Sequence, residues 1–260
     1  QMCIRDSSVV ELQKNPLRDT IFGVITTVIM LGILSIFAVI FVIPFVQEWP
    51  YQVSFSLEHV KSVISDPDLL GVYTNSLFVA VMTAIIGVLI SYGAALVTAR
   101  STLNAKLKSV VEAIALVINT IPGMVLGIAF MLTFTGTNLQ STFIILIICD
   151  VVHYFSTPYL MVKNSLSKMN ASWETTAMLM GDSWIKTIIR VVTPNAMSTI
   201  IEVFSYYFVN AMVTISAIIF LAGAHTMVIT TKIKELQYYN KFNEVFVLSV
   251  LILITNIIAC

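Results

Sequence analysis

Asp150 and His153 lie three positions apart in an otherwise apolar run, so a helix there carries both on one face. Ionisable groups inside long apolar segments are costly and face a bundle interior or a polar path. Two chemistries fit the pair: it lines a solute pathway, or it forms a packed Asp-His hydrogen bond that holds helices together. Glu202 and Asn210, eight apart in a later apolar run, also share a face. They read either as pathway-lining groups or as helix-to-helix hydrogen bonds. No metal site is expected. Asp150 and His153 have no third ligand at suitable spacing, and Cys3, Cys149 and Cys260 are too scattered for a zinc or disulfide framework. Covalent chemistry is equally unsupported. Gly181-Asp182-Ser183-Trp184 lacks the second glycine of a nucleophile elbow, and no glycine-rich segment ends in Gly-Lys-Ser/Thr to cradle a nucleotide. We therefore expect no enzymatic activity and no cofactor bound by this chain.

The elements that position these residues follow from composition. The 260 residues are 58% hydrophobic and 11% charged, against about 25% charged for a soluble domain. With a mean hydropathy of +0.93, the chain reads as a membrane protein. Basic and acidic residues balance at 14 each, which argues against nucleic-acid binding. A backbone in hydrocarbon must satisfy its hydrogen bonds within its own segment, so the apolar runs are helices and the expected fold is all-α and polytopic. Six spans are expected: Thr20 to Val46, Asn75 to Thr98, Val110 to Phe134, Ser141 past Tyr159, Thr199 to Ala222, and the run after Phe242. The opening QMCIRDS has no signal-peptide core, so residues 1–19 read as a non-membrane segment and 20–260 as one transmembrane domain ending within its last helix.

Basic residues set the orientation. Arg5, Lys14, Arg18, Arg100, Lys106, Lys108, Lys163, Lys168, Lys186 and Arg190 fall on one side of these spans. Lys61, Lys232, Lys234 and Lys241 fall on the other, ten against four. The N-terminus and the loop from Lys163 to Thr193 are expected in the cytoplasm, which makes the Asn170-Ala171-Ser172 glycosylation match irrelevant. Glu112 is expected to snorkel beside Lys108. Asp66, Asp68 and Lys61 read as external loop charges. Pro122, Gly123 and Gly127 give the third span a break and a GxxxG spacing, read as close packing, with a moving hinge as the alternative.

The segment Ser172 to Pro194 is too polar to span and too apolar to be a solvated linker. Trp173, Thr176, Ala177 and Met180 share one helical face behind Ser172 as N-cap, and Gly181 stops that helix. Asp182 or Ser183 caps a second helix with Ile185, Ile188, Ile189 and Val192 on one face, which Pro194 is expected to end. Two short amphipathic helices form a knob suited to docking a soluble partner.

This loop resembles the EAA signature of binding-protein-dependent ABC importer permeases. Thr175, Thr176 and Ala177 occupy its three EAA positions, Gly181 its glycine, and Thr193 with Pro194 its closing pair. Glu174 lies one position before the usual acid, and Thr175 stands where glutamate is common. TNSLFVA, TIPGMVLGIAF and MVTISAIIFLAG are similar to the iron, polyamine and phosphonate subgroup, most of all to permeases for 2-aminoethylphosphonate. The resemblance implies a bacterial inner-membrane subunit that pairs with a second permease subunit, the same or homologous. It also implies partner ATPase subunits that use ATP at the loop, an external binding protein, and a surrounding lipid bilayer. Two rivals stand beside it. One is a secondary transporter relaying protons through Asp150, His153 and Glu202; the other is a scaffold whose loop recruits a partner without solute flux.

Overall fold

The structure, a computed structural model, describes residues 15–49, 51–170 and 172–260. The expectations resting on Cys3, Arg5, Lys14 and Ala171 lie outside the described residues.

Asn15 accepts a hydrogen bond from the Arg18 amide at 3.3 Å and Pro16 presets the first turn, so α1 (Pro16–Val42) starts from a local signal. It carries no buried residue. A single 3-10 turn at Ile43–Phe45, with Pro44, ends it. Strands β1 (Val46–Glu48) and β2 (Gln52–Phe55) then pair antiparallel, with Phe45 stacked on Phe55 at 6.2 Å. The all-helical expectation did not contain this hairpin, because its strands are too short to show a two-residue period. A short amphipathic helix, α2 (Glu58–Ser65), follows.

The second span is longer than its apolar run. Asp66 accepts from the Asp68 amide at 2.9 Å and Pro67 opens α3 (Pro67–Arg100), 34 residues or roughly 50 Å long. Asp66, expected as an external loop charge, is thus a helix cap. A stripe of small residues, among them Ser76, Ala80, Ala84, Gly87, Ser91 and Ala95, is buried along α3 and lets neighbouring helices approach closely. Tyr207 is fully buried against it: a Cβ at Gly87 would stand 2.6 Å from the Tyr207 ring, whose hydroxyl lies 2.8 Å from Ser91 Oγ.

The third and fourth expected spans are bent pairs. α4 (Ala105–Ile118) and α5 (Gly123–Phe134) are bent by 107°, and α6 (Phe143–His153) and α7 (Ser156–Lys168) by 54°. Proline explains both. Its ring collides with the carbonyl four residues earlier and it offers no N–H; Pro122 meets Ile118, where α4 ends, and Pro158 meets Tyr154, just past the end of α6. Glu112 pairs with Lys163 of α7, while Lys108 donates to the Ser101 carbonyl at 2.6 Å, so the expected Glu112-Lys108 arrangement is replaced by a link between helices.

The fifth expected span also needs correction. α11 (Met197–Val213) stops at Val213, and residues 214–228 run as irregular backbone with Ala217 and Ile218 fully buried. Such backbone persists at membrane depth only where protein meets its polar groups. Thr230 Oγ1 donates to the Thr214 carbonyl at 2.6 Å, Asn75 Nδ2 to the Met227 carbonyl at 3.1 Å, and the Ile229 amide to Ser76 Oγ at 2.6 Å. α12 (Ile229–Tyr238) and α13 (Phe242–Ala259) complete the bundle. Among the described residues three helices, α1, α3 and α13, are long and apolar enough to cross a membrane unbroken; counting each of three bent pairs as one span, the last joining Trp184–Asn195 to α11 at 74°, gives up to six. α3 lies at the centre, packed against α11, α7 and α6.

Candidate functional site

The loop after α7 forms as a knob, with its details shifted. Asn170 Oδ1, rather than Ser172, accepts at the start of α8 (Ser172–Leu179), from the Ser172 amide at 2.9 Å. Gly181 ends the turn in the left-handed region at φ 82°, with its amide bonded to the Met178 carbonyl and that of Asp182 to the Ala177 carbonyl. These two bonds form a Schellman cap, and only glycine enters it without steric cost. Ser183 caps α9 (Trp184–Thr187), and Asp182 pairs with Lys186. Pro194 does not end this second helix. A π turn at Ile188–Val192 absorbs the missing N–H, α10 (Thr193–Asn195) continues, and the bend falls at Ala196. Ile188 and Val192 face the core, whereas Ile185 and Ile189 stay exposed with Met178, Leu179 and Met180. Of the expected face, Trp173 and Ala177 are half-buried but Thr176 and Met180 are exposed, as is Thr175.

Glu174 has a partner that sequence spacing could not reveal. Arg100 Nε, in the last turn of α3, lies 3.2 Å from Glu174 Oε1, and the two side chains are only 5% and 15% exposed. The contact is ionic and is not aligned as a hydrogen bond; Arg100 Nη2 and Glu174 Oε2 are buried without hydrogen-bond partners. At the other end of the loop, Tyr92 of α3 reaches Thr193 Oγ1 at 2.7 Å.

A second locus forms where the helices break. His153 ends α6, and a Cβ added at Gly123, the first residue of α5, would stand 3.0 Å from its ring and 2.5 Å from Ser216 Oγ. The Tyr154 hydroxyl lies 2.6 Å from Thr214 Oγ1, just past the end of α11. The breaks at 119–122, 154–155 and 214–216 therefore converge. Between them lies a polar gap of about 150 Å³ lined by Asn119, His153, Tyr154, Ser156, Thr157 and Tyr206. Gly127 sits one turn along α5 with the Ala217 carbonyl where its Cβ would be, 2.1 Å away. Pro122, Gly123 and Gly127 thus combine a helix break with close backbone approach.

Of the four polar candidates, His153 lines this gap. Asp150 is fully buried one turn deeper on α6, neither carboxylate oxygen has a hydrogen-bond partner, and it makes no hydrogen bond to His153. Asn210 is half-buried and donates to the Tyr206 carbonyl at 2.7 Å on its own helix, while Glu202 is exposed. Sequence reasoning missed Asn119, Tyr154, Ser156, Thr157 and Tyr206. Pro158 was the available signal, since a proline inside an apolar run marks a break and a break exposes backbone that needs polar company. Among the described residues, no three His, Cys, Asp or Glu side chains gather to hold a metal ion.

Residues 87–260 match a family model described as the inner membrane component of binding-protein-dependent transport systems. The chain belongs to this family. Curated relatives of this inner membrane component include a Haemophilus influenzae protein named for ferric transport, 28% identical over 82% of the chain, and the ferric transport system permease protein of Actinobacillus pleuropneumoniae, 26% identical over 80%. The matched region covers 34% and 31% of those two proteins, so the chain spans about a third of their length. The molybdate/tungstate transport system permease protein of Pyrococcus furiosus is 25% identical over 73% of the chain and 74% of its own length. In fold, the component is similar to a solved bacterial ABC transporter involved in alginate import, with a TM-score of 0.73 over 95% of this chain and 96% of that one at 16% identity.

Proposed function

We propose that the chain is a permease subunit of an ABC importer. It forms part of a solute path with a second permease subunit, takes solute from an external binding protein, and is driven by ATP hydrolysed on separate ATPase subunits docked at residues 172–194. The observation that carries this reading is the exposed apolar surface of the knob, Met178, Leu179, Met180, Ile185 and Ile189, on a loop that runs straight into α11 and so toward the gap at its far end. A surface of that kind fits a docked partner better than water. The basic side chains at this end, Arg100, Lys106, Lys108, Lys168, Lys186 and Arg190, favour its placement in the cytoplasm.

The gap offers hydroxyl, amide and imidazole groups, and among its lining residues none carries a fixed charge. That lining suits brief hydrogen bonding to a passing solute, with selection left to the binding protein. The cargo we propose is a small hydrated ion. The 2-aminoethylphosphonate implied by sequence resemblance, and the ferric and molybdate or tungstate ions named for relatives, are the members to test. A gradient-driven relay has one observation in its favour, the bare Asp150 carboxylate, but Glu202 is exposed and neither it nor His153 hydrogen-bonds to Asp150.

The deciding experiment is affinity purification of the full chain in mild detergent, followed by uptake of the three solutes, each offered with its binding protein, into proteoliposomes. An ATPase subunit should copurify and be lost with Gly181→Leu, and ATP should drive uptake of one solute. Uptake that persists without ATP and collapses with an uncoupler would overturn the reading.

A further inference from the structure

This inference rests on the coupling-loop reading and names the element that the loop drives. The chain itself connects the loop to α7 and α11, yet side chains fasten it at both ends to α3. Arg100 holds Glu174 at the loop's start, and Tyr92, eight residues earlier on α3, holds Thr193 at its end. α3 is the longest helix and packs against α11, α7 and α6 along its stripe of small residues. Near its other end, Asn75 and Ser76 hold the backbone at Met227 and Ile229, where the irregular segment that borders the gap returns to helix. One rigid element therefore joins the knob to the outer wall of the gap.

We propose that Arg100 and Tyr92 are positioning residues that make α3 move with the coupling loop, so that α3 carries the ATPase-driven displacement to the segment Thr214–Val228 and opens or closes the gap. The chemistry of the contact suits a latch. Removing one member of a buried ion pair leaves an uncompensated charge, so the contact resists partial loosening and transmits displacement. Arg100 Nη2 and Glu174 Oε2 have no hydrogen-bond partner within the chain, so the hold between the two elements rests on the charges themselves.

The test uses the full importer with its ATPase subunits, with native cysteines replaced and Thr120→Cys placed at the break beside Asn119. The rate of labelling by N-ethylmaleimide is measured with and without ATP plus vanadate. The parent, with both latch contacts intact, should show a several-fold change. Arg100→Gln, which lies outside the docking loop, should lose most of that change while the ATPase still copurifies; Glu174→Gln should lose it too, and the reversed pair Arg100→Glu with Glu174→Arg should recover it. Tyr92→Phe, which removes one hydroxyl and little else, should reduce the change without altering assembly. Full ATP-dependent change in all three single variants would overturn the proposal, as would a reversed pair no better than its parts, or loss of the ATPase from Arg100→Gln. A parent that binds no ATPase, or labels alike with and without ATP, would instead count against the importer reading itself.

Discussion

Two glycines act for opposite reasons, and each predicts a different response to substitution. Nothing lies within 4 Å of a Cβ placed at Gly181, so its role is the left-handed backbone alone. Gly181→Ala should therefore cost about 1 kcal/mol, and Gly181→Asn less, because asparagine tolerates that region. Hydrogen exchange of the α8 amides measures the difference, and equal protection in both variants would show that the cap does not order the knob. Gly127 is the reverse case, with ordinary backbone and no room. Gly127→Ala would drive a methyl group into the Ala217 carbonyl, at a cost on the order of 1–3 kcal/mol, read as a lower unfolding midpoint in detergent. An unchanged midpoint would mean that the irregular segment withdraws freely.

At the scale of elements, prolines decide where spans break. Pro122 and Pro158 each stand four residues after a carbonyl that a straight helix would need, whereas the third bend falls at Ala196, past Pro194, whose missing N–H a π turn absorbs. Pro158→Ala restores an N–H and removes the clash, so α6 and α7 should straighten. Spin labels at Ile144 and Ser167 should then move apart, and uptake should fall because the Tyr154 and Thr157 side chains leave the gap. A distance unchanged from the parent would show that the neighbouring helices impose the bend. Irregular residues 214–228 have no such local cause. Val213 ends its helix because Thr230, Asn75 and Ser76 satisfy an unwound backbone and because Gly127 leaves space for it.

For the whole molecule, the uneven placement of basic residues predicts one orientation. In intact cells, an impermeant maleimide should label Lys61→Cys and leave Lys186→Cys unlabelled until the membrane is opened. The opposite pattern would invert the assignment and place the knob where no ATPase could reach it. The same scale explains α1, whose 27 residues include no buried one: this chain's own core leaves its apolar surface uncovered, as suits a helix surrounded by hydrocarbon.

Composition alone determined that this is a polytopic helical protein, because 58% hydrophobic residues cannot be covered by 11% charged ones in water. The knob was also legible, since a capped helix, a glycine stop and a second cap act over a few neighbouring residues. Spans three to five were legible only as apolar runs; hydropathy measures the medium and is blind to a bend within it. The tertiary structure decided what distance along the chain concealed. It brought Arg100 to Glu174, Tyr207 to Gly87, and Asn119, His153 and Tyr206 around one gap. These contacts depend on which helices pack together, and in a bundle that choice is made by surface shape and small residues at many positions at once, so no short stretch of sequence carries it.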